Sequence, residues 1–371
     1  TFTKEAALSM QKRFSDMVAP ESFPVHFGTF HSVFYQILRA SNVVKSSKLL
    51  SDSEKKNLLY PILYQYGQPG EECSLLNEEA VKVLSAFSFY KNTAKLSEAV
   101  NKCPEQYREN FKDIYHSYQQ AVRLEQRLDF DDMLYLCKQL LEKDDNARKY
   151  WQTRFRHILI DEFQDINPIQ YEIIKLLSGA PYNLFAVGDD DQSIYGFRGS
   201  APDCMKAFVE DFHARQMLLD INYRSSEEIV QASLKVIGEN RNRFEKQLVA
   251  APVTSQGVVM SVAEKLNWQP VTVTPFIDSK AQYDYLVQQC KEMMKVNAGE
   301  SCAILFRTNQ YMQNVAVYLR QAEVAFEMKE KQRSIYAHPV IRDVMAYLQL
   351  AKGLGNREQL LRIINKPSRY I

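Results

Sequence analysis

Two short, unbroken apolar runs stand out against a mainly helical pattern. Ile158-Leu159-Ile160 and Leu184-Phe185-Ala186-Val187 show no alternation, as expected for strands covered on both faces of a parallel sheet. Between them, Asn167-Pro168 sets a capping residue before a proline suited to the first helical position, and Gly179 follows the helix end. The stretch predicts one strand–helix–strand unit with a right-handed crossover. The first strand ends in Asp161-Glu162 and the second in Gly188-Asp189. Parallel strands would deliver both acidic groups to the carboxyl edge, where open α/β sheets bind ligands.

Around this unit the periodicity is mostly helical. Thr3 caps a helix with apolar positions Ala6, Ala7, Met10, Phe14 and Met17, and Val25–His31 reads as a strand entering a helix over Ser32–Ala40. Residues 41–151 carry helical patterns with polar breaks and no strand–helix alternation, with a helix start at Leu50–Glu54. Asp129, Asp131 and Asp132 read as a helix cap, because a Ca²⁺ loop would need a Gly and a Glu that are missing. Met217–Ile221 predicts a strand, and Ser225 with Glu228 a capping box for a helix reaching about Glu239. From Gly257 a second alternation begins, with strands at Val258–Val262 and Cys302–Phe306 and helices at Gln282–Lys295 and Asn309–Ala322, Asn309 being the cap. From about Ser334 the pattern is helical again.

Composition sharpens this picture. A length of 371 residues implies two or three domains. The chain is 46% hydrophobic and 25% charged, and no apolar run approaches the ~18 residues of a membrane span. The net charge of +1 means that nucleic-acid affinity would depend on a local basic groove. Six scattered cysteines without a CxxC pair predict reduced thiols and a cytoplasmic location.

The chemistry that suits an acidic sheet edge is nucleotide hydrolysis. One carboxylate can hold Mg²⁺, usually through water. Its neighbour can orient or deprotonate an attacking water, and a Gln after the next strand can sense the terminal phosphate. Asp161, Glu162 and Gln192 stand at those positions.

Asp161-Glu162-Phe163-Gln164-Asp165 and the string from Gly188 to Gly199 resemble motifs II and III of the UvrD/Rep (PcrA-like) superfamily-one DNA helicases. Phe2-Thr3 and its helix are similar to motif Ia, Val25–His31 to Ib, Leu128–Leu134 to Id, Asn222-Tyr223-Arg224-Ser225 to IV, Leu305–Asn309 to IVa, and Asn365–Arg369 to an Asn-x-Pro-x-Arg segment. The resemblance implies an α/β fold with a RecA-like P-loop NTPase core and parallel sheet. It places domain 1A at 1–36 and 152–214, a helical insertion 1B at 37–151, a second RecA-like domain 2A at 215–333, and the start of a helical domain 2B at 334–371.

The resemblance also implies roles. Asp161 would hold Mg²⁺, Glu162 act as base, Gln192 as phosphate sensor and Arg224 as arginine finger, with Tyr223 stacked on the adenine of ATP. Phe2, Thr29, His31, Tyr195, Phe197, Arg307 and Asn309 would contact DNA, the aromatics by stacking on bases. No G-x-x-x-x-G-K-[S/T] occurs in the chain. That loop is expected upstream of Thr1, and motifs V and VI beyond Ile371, making this an interior fragment, inactive alone. The implied activity is ATP-dependent 3′→5′ translocation on single-stranded DNA and unwinding at single-strand/duplex junctions, with no membrane role and with repair or replication accessory proteins as further partners. A helicase–nuclease motor subunit and a non-catalytic DNA-binding relative are the alternatives.

Overall fold

The computed structural model describes residues 1–44, 49–66, 73–181, 183–196, 203–240, 243–251, 271–296, 301–328 and 339–364. It divides into two compact units, Thr1–Pro270 and Val271–Ile371.

In the first unit, Thr3 accepts the Ala6 amide at 3.1 Å and opens α1 (Lys4–Val18). Of the expected apolar stripe only Ala7 is buried, and Met17 is 83% exposed. Val25–Phe27 lies in no strand; it leads directly into α2 (Phe30–Ala40), which begins two residues before the expected Ser32. Four helices follow: α3 (Asp52–Tyr66), α4 (Cys73–Thr93), α5 (Leu96–Lys102) and α6 (Phe111–Leu124). Ser51 and Glu54 cap α3 reciprocally. These helices bury a core of their own, in which Leu59, Leu63, Val83, Phe87, Phe111 and Tyr118 are central.

Helices α7 (Phe130–Lys143) and α8 (Asp145–Arg154) belong to a second core with the strands. Asp129 and Asp132 form the capping box of α7. They also clamp the Lys91 ammonium of α4, each at 2.7 Å, so the acidic cluster caps a helix and binds a lysine. Next to it, Asn92 donates to Asp131 at 2.8 Å and accepts from Asn167 at 2.9 Å. A buried polar joint thus ties α4 to the start of α9 (Pro168–Leu177).

The predicted central unit is present. β1 (Ile158–Ile160) and β2 (Leu184–Ala186) pair in parallel, with Ile158 opposite Leu184 and Ile160 opposite Ala186. Asn167 and Gln170 cap α9 in a reciprocal box with Pro168 in its first turn. α7 packs against both α2 and α9, and Phe34, Leu134, Ile160, Phe163 and Ile174 fill the space between them. Burying each such side chain contributes about 1.5–3 kcal/mol. Coverage on both strand faces is not found. Leu159 and its register partner Phe185 are 72% and 60% exposed, because side chains alternate along a strand and, among the described residues, the helices pack only on the Ile160 face.

After α10 (Asp203–Phe212), β3 (Ile221–Asn222) pairs in parallel with β4 (Val249–Ala250), flanking α11 (Glu227–Ile237). The predicted strand at Met217–Ile221 shrinks to its end, and Met217 and Leu219 are exposed. The Ser225–Glu228 box does not form. The Asn222 carboxamide oxygen takes the amides of Arg224 and Ser225, each at 2.9 Å. The helix therefore begins a residue later, with Ser226 at its cap making no side-chain bond there. The strand expected over Val258–Val262 lies outside the described residues.

The second unit contains α12 (Ser279–Val296), α13 (Asn309–Gln321), α14 (Pro339–Ala351) and α15 (Arg357–Ile363), with Tyr283, Val315, Leu319 and Val324 in its core. Cys302–Phe306 forms no ladder among the described residues, and Thr308 rather than Asn309 occupies the cap of α13. No described helix is long and apolar enough to cross a membrane.

Candidate functional site

The site grows from the carboxyl ends of β1 and β2. The ladder continues one residue past the strands: the Val187 amide donates to the Ile160 carbonyl at 2.8 Å, and the Phe163 amide to the Val187 carbonyl at 2.9 Å. Asp161 is half-buried at this edge. Glu162 adopts φ 55°, ψ 46°, a left-handed conformation that costs a non-glycine residue of order 1–3 kcal/mol and clusters at functional sites. The turn Phe163–Asp165 then sends Phe163 into the core.

Gln164, only 1% exposed, joins the two strand ends. Its Nε2 donates to Glu162 Oε2 at 2.7 Å, and its Oε1 accepts the Asp189 amide at 3.0 Å. This close approach requires Gly188. A Cβ there would lie 2.8 Å from Gln164 Oε1 and 3.2 Å from two backbone nitrogens. Asp189 accepts the Asp191 amide at 3.2 Å and Gln192 Nε2 at 2.7 Å. One hydrogen-bonded path therefore runs from Glu162 through Gln164 and Asp189 to Gln192.

Three consecutive carboxylates converge in this loop, and two cations that the sequence did not single out hold them. Lys246 Nζ contacts Asp189, Asp190 at 2.6 Å and Asp191 at 3.0 Å. Arg243 Nε donates to Asp191 at 2.8 Å, and the Phe244 amide to Asp190 at 2.7 Å. Burial alone would raise the Asp189 pKa, but the Lys246 and Gln192 hydrogen bonds outweigh it and hold the group below the usual carboxylate range. Two cations of the chain thus offset most of the charge of the three carboxylates. In the sequence only the spacing of Arg243 and Lys246 is visible, and nothing local connects them to a loop more than fifty residues earlier.

A cavity of about 240 Å³ opens beside this path, lined among others by Phe2, Glu162, Asp165, Gln192 and Tyr195. Phe2 and Tyr195 stack across it, ring centres 5.0 Å apart and planes 25° from parallel. Asp165 is buried, and its Oδ1 has no hydrogen-bond partner among the described residues. Burial, then the charge of Glu162, pushes its pKa up. A larger cavity of about 490 Å³ lies at the opposite, amino ends of the strands, lined by Arg156, His157, Ser178 and Asn183. No carboxylate lines it.

The remaining candidates are placed elsewhere. Thr29 caps α2 by accepting the Ser32 amide at 3.3 Å. His31, in the first turn after that cap, packs edge-on against Phe130 at 5.5 Å; burial lowers its pKa, partly opposed by Asp131. Tyr223 and Arg224 are exposed after β3, in the Asn222 turn. Arg307 is exposed in the second unit, and Asn309 is the first residue of α13. Phe197 lies outside the described residues.

The parallel strand pair thus gathers acidic groups and a glutamine at its carboxyl edge, with stacked aromatics on the same cavity. The chain matches the model of the UvrD/REP helicase N-terminal domain over residues 1–213 and that of the UvrD-like helicase C-terminal domain over 217–371; it belongs to the UvrD/REP helicase family. It is 31% identical to YjcD of Bacillus subtilis over 98% of this chain and 46% of that protein. It is 29% identical to the ATP-dependent DNA helicase PcrA of Staphylococcus epidermidis, over 100% of this chain and 49% of that protein. The PcrA of Staphylococcus aureus is 27% identical over 100% and 49%. The chain spans about half the length of the curated relatives it matches.

Proposed function

We propose that this chain supplies the hydrolytic edge and a DNA-contacting face of a cytoplasmic, ATP-dependent DNA helicase. The protein would translocate 3′→5′ on single-stranded DNA and open single-strand/duplex junctions. The observation that carries this reading is the shared cavity: Glu162 and Gln192 on one wall, Phe2 stacked on Tyr195 on another.

On this reading, the strand–helix–strand units are the framework of RecA-like domains, and α3–α6 are the body of an inserted helical domain. The donor set fits nucleotide and Mg²⁺: a carboxylate directly after a strand is a hard oxygen ligand, and Gln192 carries an exposed side-chain amide. Mg²⁺-ATP, when bound, supplies the phosphoryl group to be cleaved and the positive charge that offsets its transition state. Asp161 would hold the cation. Gln164 occupies Glu162 Oε2 and so orients Oε1 to take the proton of the attacking water. Gln192 reads the terminal phosphate, Arg224 neutralises transition-state charge, and Tyr223 stacks on the base. Phe2 and Tyr195 stack on DNA bases, joined by Phe197, and Thr29, His31, Arg307 and Asn309 meet the backbone.

The test is Glu162→Gln in the protein at its natural length. ATP turnover should fall by about 10²–10⁴-fold, the usual weight of a general base, while nucleotide affinity is kept. Turnover near the wild-type rate would remove Glu162 from the role and end this reading.

A further inference from the structure

We infer that Lys246, seconded by Arg243, is a positioning residue that ties the Gln192 sensor turn to the element carrying Arg224. The inference rests on the proposed roles of Gln192 and Arg224. Lys246 stands three residues before β4, and β4 is the ladder partner of β3, whose last residue is Asn222. Asn222 in turn fixes the backbone amides of Arg224 and Ser225. At the other end, Lys246 grips Asp189, whose second oxygen accepts the Gln192 side chain at 2.7 Å. The connection runs through Arg224, the Asn222 turn, the β3–β4 ladder, Lys246, Asp189 and Gln192, with the Lys246–Asp189 ion pair as its charged link.

Its geometry differs from that of a surface ion pair. The Lys246 side chain is 8% exposed, and those of Asp190 and Asp191 are 6% and 11% exposed. Desolvated pairs with several simultaneous bonds resist separation. A displacement of β3–β4 relative to β1–β2 must therefore either move the turn Asp190–Gln192 or break these bonds. The Phe244 amide bond to Asp190 and the Arg243 fork on Asp191 fix the same turn from the backbone side and at its middle. Both acidic residues of the turn and Asp189, which caps it, are thus gripped by one segment, 243–246. Lys246 touches no substrate in this scheme; it sets where Gln192 stands when the arginine element moves.

The experiment compares Lys246→Met with the double variant Lys246→Met/Asp190→Asn in the natural-length protein. It reads thermal midpoint, basal ATP turnover and its stimulation by a poly-dT oligonucleotide. The single variant should lower both the midpoint and the stimulated kcat, the latter by about 10–100-fold, as when a supporting partner of a reacting group is lost. KM for ATP should change little. The double variant relieves the carboxylate repulsion without restoring the tie, so the midpoint should recover while stimulation stays low. Stimulation that returns with the midpoint, or that survives in Lys246→Met within about twofold, would overturn the inference, leaving charge balance as the only role. Gln192→Ala separates the two readings. Unchanged turnover there would remove the sensor role and this inference with it; lost turnover there with full stimulation in Lys246→Met would sink this inference alone.

Discussion

The β1–α9–β2 and β3–α11–β4 segments share one connectivity but differ in how firmly side chains hold them. In the first, Asn167 and Gln170 box the helix start, Asn92 reaches in from α4 to bond Asn167, and Gln164 pins both strand ends. In the second, each strand is two residues long, Ser226 makes no cap bond, and Tyr223 is 56% exposed. On the proposed reading of Glu162 as base and Arg224 as arginine finger, the contrast suits a division of labour. A base and its water need fixed geometry, since an error of an ångström in placement costs rate. An arginine that reaches toward a phosphate only in the transition state gains from being able to approach and withdraw.

Substitutions can break this contrast, the largest effect coming from the joint beneath the first segment. Lys91→Met leaves Asp129 and Asp132 buried without their cation, and stability to urea should fall by about 3–5 kcal/mol. The joint also carries a pH signature. Burial disfavours the Lys91 charge, but Asp129 and Asp132 outweigh it and raise its pKa above the ordinary value. A raised pKa means that the stabilisation is fully present below the unfolded lysine value of about 10.4 and lost as pH rises through the higher folded value. The urea midpoint should thus fall more steeply above that pH in the wild type than in Lys91→Met.

Gln164→Leu comes next. It frees Glu162 Oε2 and orphans the Asp189 amide, so kcat for ATP should drop by about 10–100-fold with little change in KM; an unchanged kcat would show that Glu162 is held without it. The smallest pair of effects compares the two helix starts directly. Asn167→Ala should cost about 1–2 kcal/mol in thermal unfolding, as the loss of a working cap does. Ser226→Ala should stay within about 0.5 kcal/mol, because its buried Oγ has no partner among the described residues to lose. Equal costs at the two caps would erase the distinction between the segments.

Much of the first segment was legible because its signals are local. The apolar runs, the Asn-Pro start and the acidic residues after each strand lie within a few positions of the features they specify, and the structure keeps them in register. The helix start at Asp129 is legible for the same reason, since its capping box links residues only three positions apart. The structure departs from the sequence pattern where one local group outcompetes another. Asn222 took the amides that the Ser225 box would have oriented, and Thr308 took the cap expected of Asn309. Exposure of Leu159 and Phe185 was equally hidden, because an unbroken apolar run does not say which face the helices will cover.

The chain by itself determined the elements and the chemical menu: a strand ending in Asp161-Glu162, a turn bearing Gln192, aromatic residues at 2 and 195, and an arginine after β3. Such features depend on neighbours along the backbone, whose spacing is fixed by covalent geometry. Tertiary packing alone decided that Gln164 would span two strand ends, that Lys91 would cap off the acidic cluster, and that Arg243 and Lys246 would close on Asp189–Asp191. The last two pairings join groups about forty to sixty residues apart. Like charges repel and burial penalises each one, so these sites persist only where the fold brings opposite charges within bonding distance.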